Sequence, residues 1–204
     1  MVVRILVLFL ALAALSAESV VFLGDSLTAG HGLTAEQAYP ALIAADLAKD
    51  RATATWRVVN AGVSGDTSAG GLRRIDWVLK AKPDLVVIAL GGNDGLRGLP
   101  VTQLEANLRA IVAKVRATGA AAALIGMRVP GNLGPDYRAA FDNVYPRLAK
   151  QLDLPLLPFL LEGIALDPRY NQPDLIHPNV EGQKIIAAKV LTWLKPLLKP
   201  KPRP

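Results

Sequence analysis

Leu85-Val86-Val87-Ile88-Ala89-Leu90-Gly91-Gly92 is the stretch from which the rest of the chain can be read. A short, unbroken apolar run closed by glycines is the pattern of a strand buried on both faces. Ser19-Val20-Val21-Phe22-Leu23 repeats it before Gly24, Trp56-Arg57-Val58-Val59-Asn60 before Ala61-Gly62, and Ala121 to Met127 gives a fourth run. Leu154-Pro155-Leu156-Leu157-Pro158-Phe159 is a short fifth strand, which its prolines assign to a sheet edge.

Helical spacing fills the intervals. A helix is expected within 34–49, where Thr34 and Gln37 have capping-box spacing and Pro40 favours a start at Tyr39. Leu72, Ile75, Val78 and Leu79 mark a second helix, for which Ser64 and Asp66 are the expected caps. Leu104, Leu108, Ile111, Val112 and Val115 mark a third, opened by a Thr102/Glu105 capping box and closed by Gly119. Tyr137, Phe141, Val144, Tyr145 and Leu148 line a fourth, and residues 180–195 form the last. Apolar strands alternating with helices predict a parallel sheet covered on both faces, a three-layer α/β/α domain. Such sheets place ligands at the carboxyl ends of their strands.

Composition narrows the chemistry. The chain has 204 residues, 51% of them hydrophobic, with no cysteine and only two histidines, His31 and His177. Disulfides, thiolate nucleophiles and cysteine-ligated metals are excluded. The formal charge is +6, but Arg4, Lys195, Lys199, Lys201 and Arg203 lie at the two ends, and without them the body carries +1. That distribution argues against a nucleic-acid partner. Arg4, the apolar run Ile5 to Leu15 and then Ser16-Ala17 have the three-part layout of an export signal, so residues 1–17 are expected to be a cleaved signal peptide and the protein periplasmic or secreted. The run is too short to span a membrane, which needs ~20 apolar residues. The domain is expected over 18–195, with a disordered Pro/Lys-rich tail over 196–204.

The polar loops after the strands hold the reactive groups: Gly24-Asp25-Ser26-Leu27, Asn60-Ala61-Gly62, Gly91-Gly92-Asn93-Asp94 and, late in the chain, Asp174-Leu175-Ile176-His177. Parallel topology brings these loops to one edge of the sheet. Acyl transfer to a serine needs a base, an acid that orients the base, and preorganised N–H donors for the oxyanion. Ser26 stands where a strand turns into a helix. Asp174 and His177 are three apart, within reach of one another across a turn. Asn93 offers a side-chain amide and Gly62 a backbone N–H. Each also has a plainer reading: Ser26 as a helix cap, His177 as a structural histidine, and Asp174, Asn93 and Gly62 as turn residues.

In their order and spacing, these four blocks resemble the GDSL or SGNH-hydrolase superfamily, in particular its thioesterase I/lysophospholipase/arylesterase branch. The resemblance covers about residues 19–195. It implies the SGNH fold, with a flavodoxin-like five-stranded sheet. It also implies a serine esterase or thioesterase with Ser26 as nucleophile, His177 as base and Asp174 as orienting acid. The oxyanion donors it implies are the Ser26 and Gly62 amides and the Asn93 side chain. Substrates would be acyl or aryl esters, acyl-CoA thioesters or lysophospholipids, with no cofactor or metal, acting on a small molecule as a monomer. A carbohydrate acetylesterase and a non-catalytic lipid-binding protein are the competing readings. Asp25 and Asp94 are expected to hold the loops. His31 departs from the aromatic expected at its position in this branch and is read as a rim residue. Met127 to Asp136 is either a loop beside the acyl pocket or an ordinary connection.

Overall fold

A computed structural model describes residues 18–198. The expected signal peptide, and the tail beyond residue 198, lie outside the described residues. In chain order the elements are β1 (Ser19–Gly24), α1 (Ser26–Ala29), α2 (Tyr39–Leu47), β2 (Arg57–Gly62), α3 (Ser68–Leu79), β3 (Leu85–Ala89), α4 (Gly92–Leu96), α5 (Val101–Ala117), β4 (Ala121–Ile125), α6 (Pro135–Asp142), α7 (Val144–Leu152), β5 (Leu156–Leu157) and α8 (Val180–Leu194).

The five strands are all parallel, in the order β2-β1-β3-β4-β5. This is the flavodoxin-like order, in which the chain reverses direction across the sheet between β1 and β3. Both of those strands are buried at every residue, whereas β2 at one edge is partly exposed. On the helical layers, α2 packs on α8, while α5 packs on both α3 and α7. Register aligns Gly24 with Gly62 on one side and with Ala89 on the other, so the loops leaving β1, β2 and β3 emerge together.

Four local expectations fail for identifiable reasons. The helix expected through Tyr137–Leu148 is two helices broken at Asn143, because Pro146 lacks the N–H that would reach the Asp142 carbonyl and its ring crowds that carbonyl. The Thr102/Glu105 box does not form: α5 starts at Val101 after Pro100, and Glu105 pairs with Arg147 at 2.5 Å instead. Neither Ser64 nor Asp66 caps α3. Thr67 does, its hydroxyl accepting from the Gly70 N–H at 3.2 Å. The tail does not fray at 196: Lys195–Leu197 make a 3₁₀ turn that buries Leu198. Before α2, Gln37 does bond back to the Thr34 N–H, but on a separate 3₁₀ turn, with Pro40 in the first turn of the helix that follows.

Candidate active site

Chain reversal at β1 opens the site. Gly24 ends the strand where an added Cβ would collide with the Thr28 side chain. Asp25 then caps α1, its Oδ1 accepting from the Leu27 N–H at 3.0 Å. This puts Ser26 on the first position of α1, with its N–H engaging no acceptor among the described residues. Asp25 is buried, and burial pushes its carboxyl up to about 6 against the lowering pull of the Leu27 N–H and of His177.

The turn before α8 supplies the imidazole. Asp174 Oδ1 accepts from the N–H groups of Ile176 and His177, at 2.9 and 3.0 Å. Its Oδ2 lies 2.6 Å from His177 Nδ1, and His177 Nε2 lies 2.9 Å from Ser26 Oγ. The His177 side-chain and backbone hydrogen bonds hold the Asp174 carboxyl down at about 2. Asp174 is thus ionised throughout the neutral range, which fixes the proton on Nδ1 and leaves Nε2 free to accept from the hydroxyl.

The Asn93 Nδ2 group donates to the Asp66 carbonyl at 2.9 Å and has a second hydrogen to offer. Gly62 is placed differently from expectation. Its N–H donates to Asn60 Oδ1 at 2.9 Å, and an added Cβ there would meet the backbone of Ala29. Gly62 therefore serves the close approach of β2 to α1. Gly65, three residues on, has φ 80°, and its N–H has no acceptor among the described residues. It adjoins Asp66, whose carbonyl holds Asn93. Sequence reading passed it over because Ser64-Gly65-Asp66 looks like a cap for the next helix.

Two further groups were missed. Arg74 donates to Asp66 Oδ2 at 2.6 Å and to the Gly24 carbonyl at 2.9 Å, tying the end of β1 to the loop after β2. Gln183 on α8 is buried. Its Oε1 accepts from the Tyr39 N–H at 2.9 Å and its Nε2 donates to the Leu27 carbonyl at 3.3 Å. Asp94 holds its loop as expected, accepting from the Ser68 N–H and hydroxyl at 2.7 and 2.5 Å. His31 is exposed, and its ring packs on that of His177.

A cleft of about 460 Å³ opens beside Ser26 and His177, lined mainly by apolar side chains including Leu96, Met127, Val129, Phe159 and Leu166. The Met127–Pro130 segment thus forms one wall. Among the described residues, no cluster of three or more histidine, aspartate or glutamate side chains is arranged to hold a metal, and no helix is long and apolar enough to cross a membrane.

The sequence pattern of the GDSL-like lipase/acylhydrolase family matches residues 22–185. Thioesterase 1/protease 1/lysophospholipase L1 of Escherichia coli K12 is 44% identical over 186 residues, covering 91% of this chain and 87% of that protein. Esterase TesA of Pseudomonas aeruginosa is 45% identical over 184 residues, covering 90% of each. A crystal structure of TesA superposes with a TM-score of 0.82 at 45% identity, covering 89% of this chain and all of that one.

Proposed function

We propose, because the chain belongs to the GDSL-like lipase/acylhydrolase family and is a hydrolase of ester bonds, that it works through an acyl-enzyme on Ser26. The observation that carries this reading is the continuous line Asp174 Oδ2–His177 Nδ1, His177 Nε2–Ser26 Oγ, at 2.6 and 2.9 Å. His177 takes the hydroxyl proton as Oγ attacks the substrate carbonyl, and Asp174 steadies the imidazolium that forms. The proton passes to the leaving alkoxide or thiolate. A water activated by His177 then releases the acid. The oxyanion meets the Ser26 N–H, at the start of α1, and the Asn93 amide. We place the third donor at Gly65, since the Gly62 N–H is committed to Asn60.

The substrates we propose are esters or thioesters of apolar acids: acyl or aryl esters, acyl-CoA thioesters and lysophospholipids. The apolar cleft supports this over a carbohydrate acetylesterase, whose substrate needs polar partners along the sugar. We also take residues 1–17 as a signal peptide, so that the domain over 18–195 acts after export, in the periplasm or outside the cell. It would act as a monomer on small molecules, without nucleic acid. Mass spectrometry of the N-terminus of exported protein tests the leader.

Ser26→Ala tests the mechanism. The rate on p-nitrophenyl esters should fall ~10³-fold or more while the protein stays folded. Undiminished activity would overturn the serine mechanism. Rates on acetyl, butyryl and longer acyl esters, acyl-CoA and lysophospholipid would rank the substrates.

A further inference from the structure

The chain's only two histidines meet at the site, ring against ring. The His31 and His177 ring centroids are 4.6 Å apart, with planes tilted by 44°. The contact is braced from three sides. The His31 N–H donates to the Ser26 carbonyl at 3.0 Å. Gln172 Nε2 donates to the His31 carbonyl at 2.7 Å, and the Gln172 N–H donates to the His177 carbonyl at 2.7 Å. Beside His31, Gly32 has φ 77°, and an added Cβ there would collide with the Gln172 side chain, so the brace fits only against glycine. His31 itself is exposed. Core packing therefore does not account for its place, because the residue stays exposed to water there.

We propose that His31 is a positioning residue that keeps the His177 imidazole on the line between Asp174 and Ser26. The inference rests on the reading of His177 as the base. Imidazole nitrogens donate and accept along directions in the plane of the ring, so the hydrogen bonds to Asp174 and Ser26 do little to stop the His177 ring tilting or swinging out of that plane. A second ring packed against it restrains that motion. The restraint matters most after acylation, when Oγ is esterified and no longer tethers Nε2. The imidazole then hangs from Asp174 alone, at the moment it must take a proton from water. Through Gln172 and the Ser26 carbonyl, the same loop ties the ring to both partners of the reaction.

The test uses the full protein and its His31→Ala, His31→Phe, Gln172→Ala and His31→Ala/Gln172→Ala variants. Steady-state rates on p-nitrophenyl acetate and a longer ester give kcat and KM. The rate at which a small p-nitrophenyl phosphonate modifies Ser26 reports nucleophile activation without the acyl cleft, and thermal melting reports folding. An aromatic contact of this kind corresponds to about a three- to ten-fold effect. His31→Ala should lower kcat and the phosphonylation rate by that factor, with KM and the melting temperature unchanged. His31→Phe, which keeps a ring, should restore both rates. The double variant should lose little more than His31→Ala, because Gln172 acts through His31. Full kcat in His31→Ala, a change confined to KM, or failure of phenylalanine to restore the rates would overturn the proposal. Ser26→Ala run alongside separates the two claims. Its retained activity would bring down the serine mechanism and this inference with it, whereas an inactive Ser26→Ala beside a fully active His31→Ala would bring down this inference alone.

Discussion

Ser26 Oγ and His177 Nε2 are 151 residues apart along the chain and 2.9 Å apart in space. Their geometry is completed by a carboxylate that the His177 hydrogen bonds keep ionised down to about pH 2. Asp174→Asn keeps the shape of the side chain but presents the wrong tautomer to His177. It should cut kcat/KM by ~10²–10⁴-fold at pH 7.5. The acid limb of the wild-type pH profile should show no step from Asp174 above about pH 4, because the folded carboxylate stays charged there. Initial rates between pH 4 and 9 on one ester check both.

Asp25 has the opposite sign. Burial raises its carboxyl from an ordinary value of 3.8 to about 6 in the folded protein. Below the ordinary value both the folded and unfolded states hold the proton, so folding is not penalised. As pH rises to about 6, the unfolded chain releases the proton first and stability falls. Asp25→Asn retains an oxygen for the Leu27 N–H and removes that penalty. It should be more stable than wild type by about 1–3 kcal/mol at pH 7.5, with the difference closing below pH 4. The cost is catalytic: the variant loses a negative charge near His177, so kcat should fall. Thermal melts of the two proteins across that pH range test the sign.

Asn93, proposed as an oxyanion donor, and Gly62, proposed as a spacer, predict different losses. Asn93→Ala should lower kcat by about 10²–10³-fold with folding intact, as loss of one oxyanion donor does. Gly62→Ala forces a methyl against the Ala29 backbone. It should lose about 1–3 kcal/mol of stability, and activity only as α1 shifts. Urea titration and kcat for each variant distinguish the two roles.

Behind the site, Asp94 accepts from the Ser68 N–H and hydroxyl, Asn107 Nδ2 donates to the same hydroxyl at 2.9 Å, and Gln103 donates to Asn107 Oδ1 at 3.0 Å. Asp94→Ala strands buried donors and should destabilise by about 2–5 kcal/mol in urea. Its kcat per folded molecule should change less than that of Asn93→Ala.

The sheet was legible because β1, β3 and β4 are apolar without interruption, and a buried parallel strand leaves few other readings. Their glycine endings marked where the loops converge, so the loops carrying Ser26 and Asn93 could be placed at one sheet edge from sequence, while Asp174 and His177 were paired by their spacing alone. What failed was detail that depends on neighbours distant in the chain. Thr102 has a capping partner in sequence, yet Arg147 from α7 claims Glu105. Ser64, Asp66 and Thr67 could each cap by residue type; the Asp66 carboxylate is taken by Arg74, and Thr67 is the residue that caps α3. Gly62 and Gly65 are equivalent in composition. The Asn60 side chain, which occupies one N–H, makes them different. Pro146 was a local signal that the apolar spacing around it obscured.

Gln183 fastens the peptide carrying Leu27 and the start of α2 from a helix that begins only after the His177 turn. The Ser26 turn is therefore clamped by the segment that also carries His177, and both are made after every strand of the sheet. With Ser26 and His177 in the proposed roles, hydrolytic competence marks the docking of this segment on the finished sheet. A chain halted before the His177 turn has all five strands and still lacks both the imidazole and the clamp. In refolding, activity should return with the slow closure of this long loop and lag behind the recovery of secondary structure.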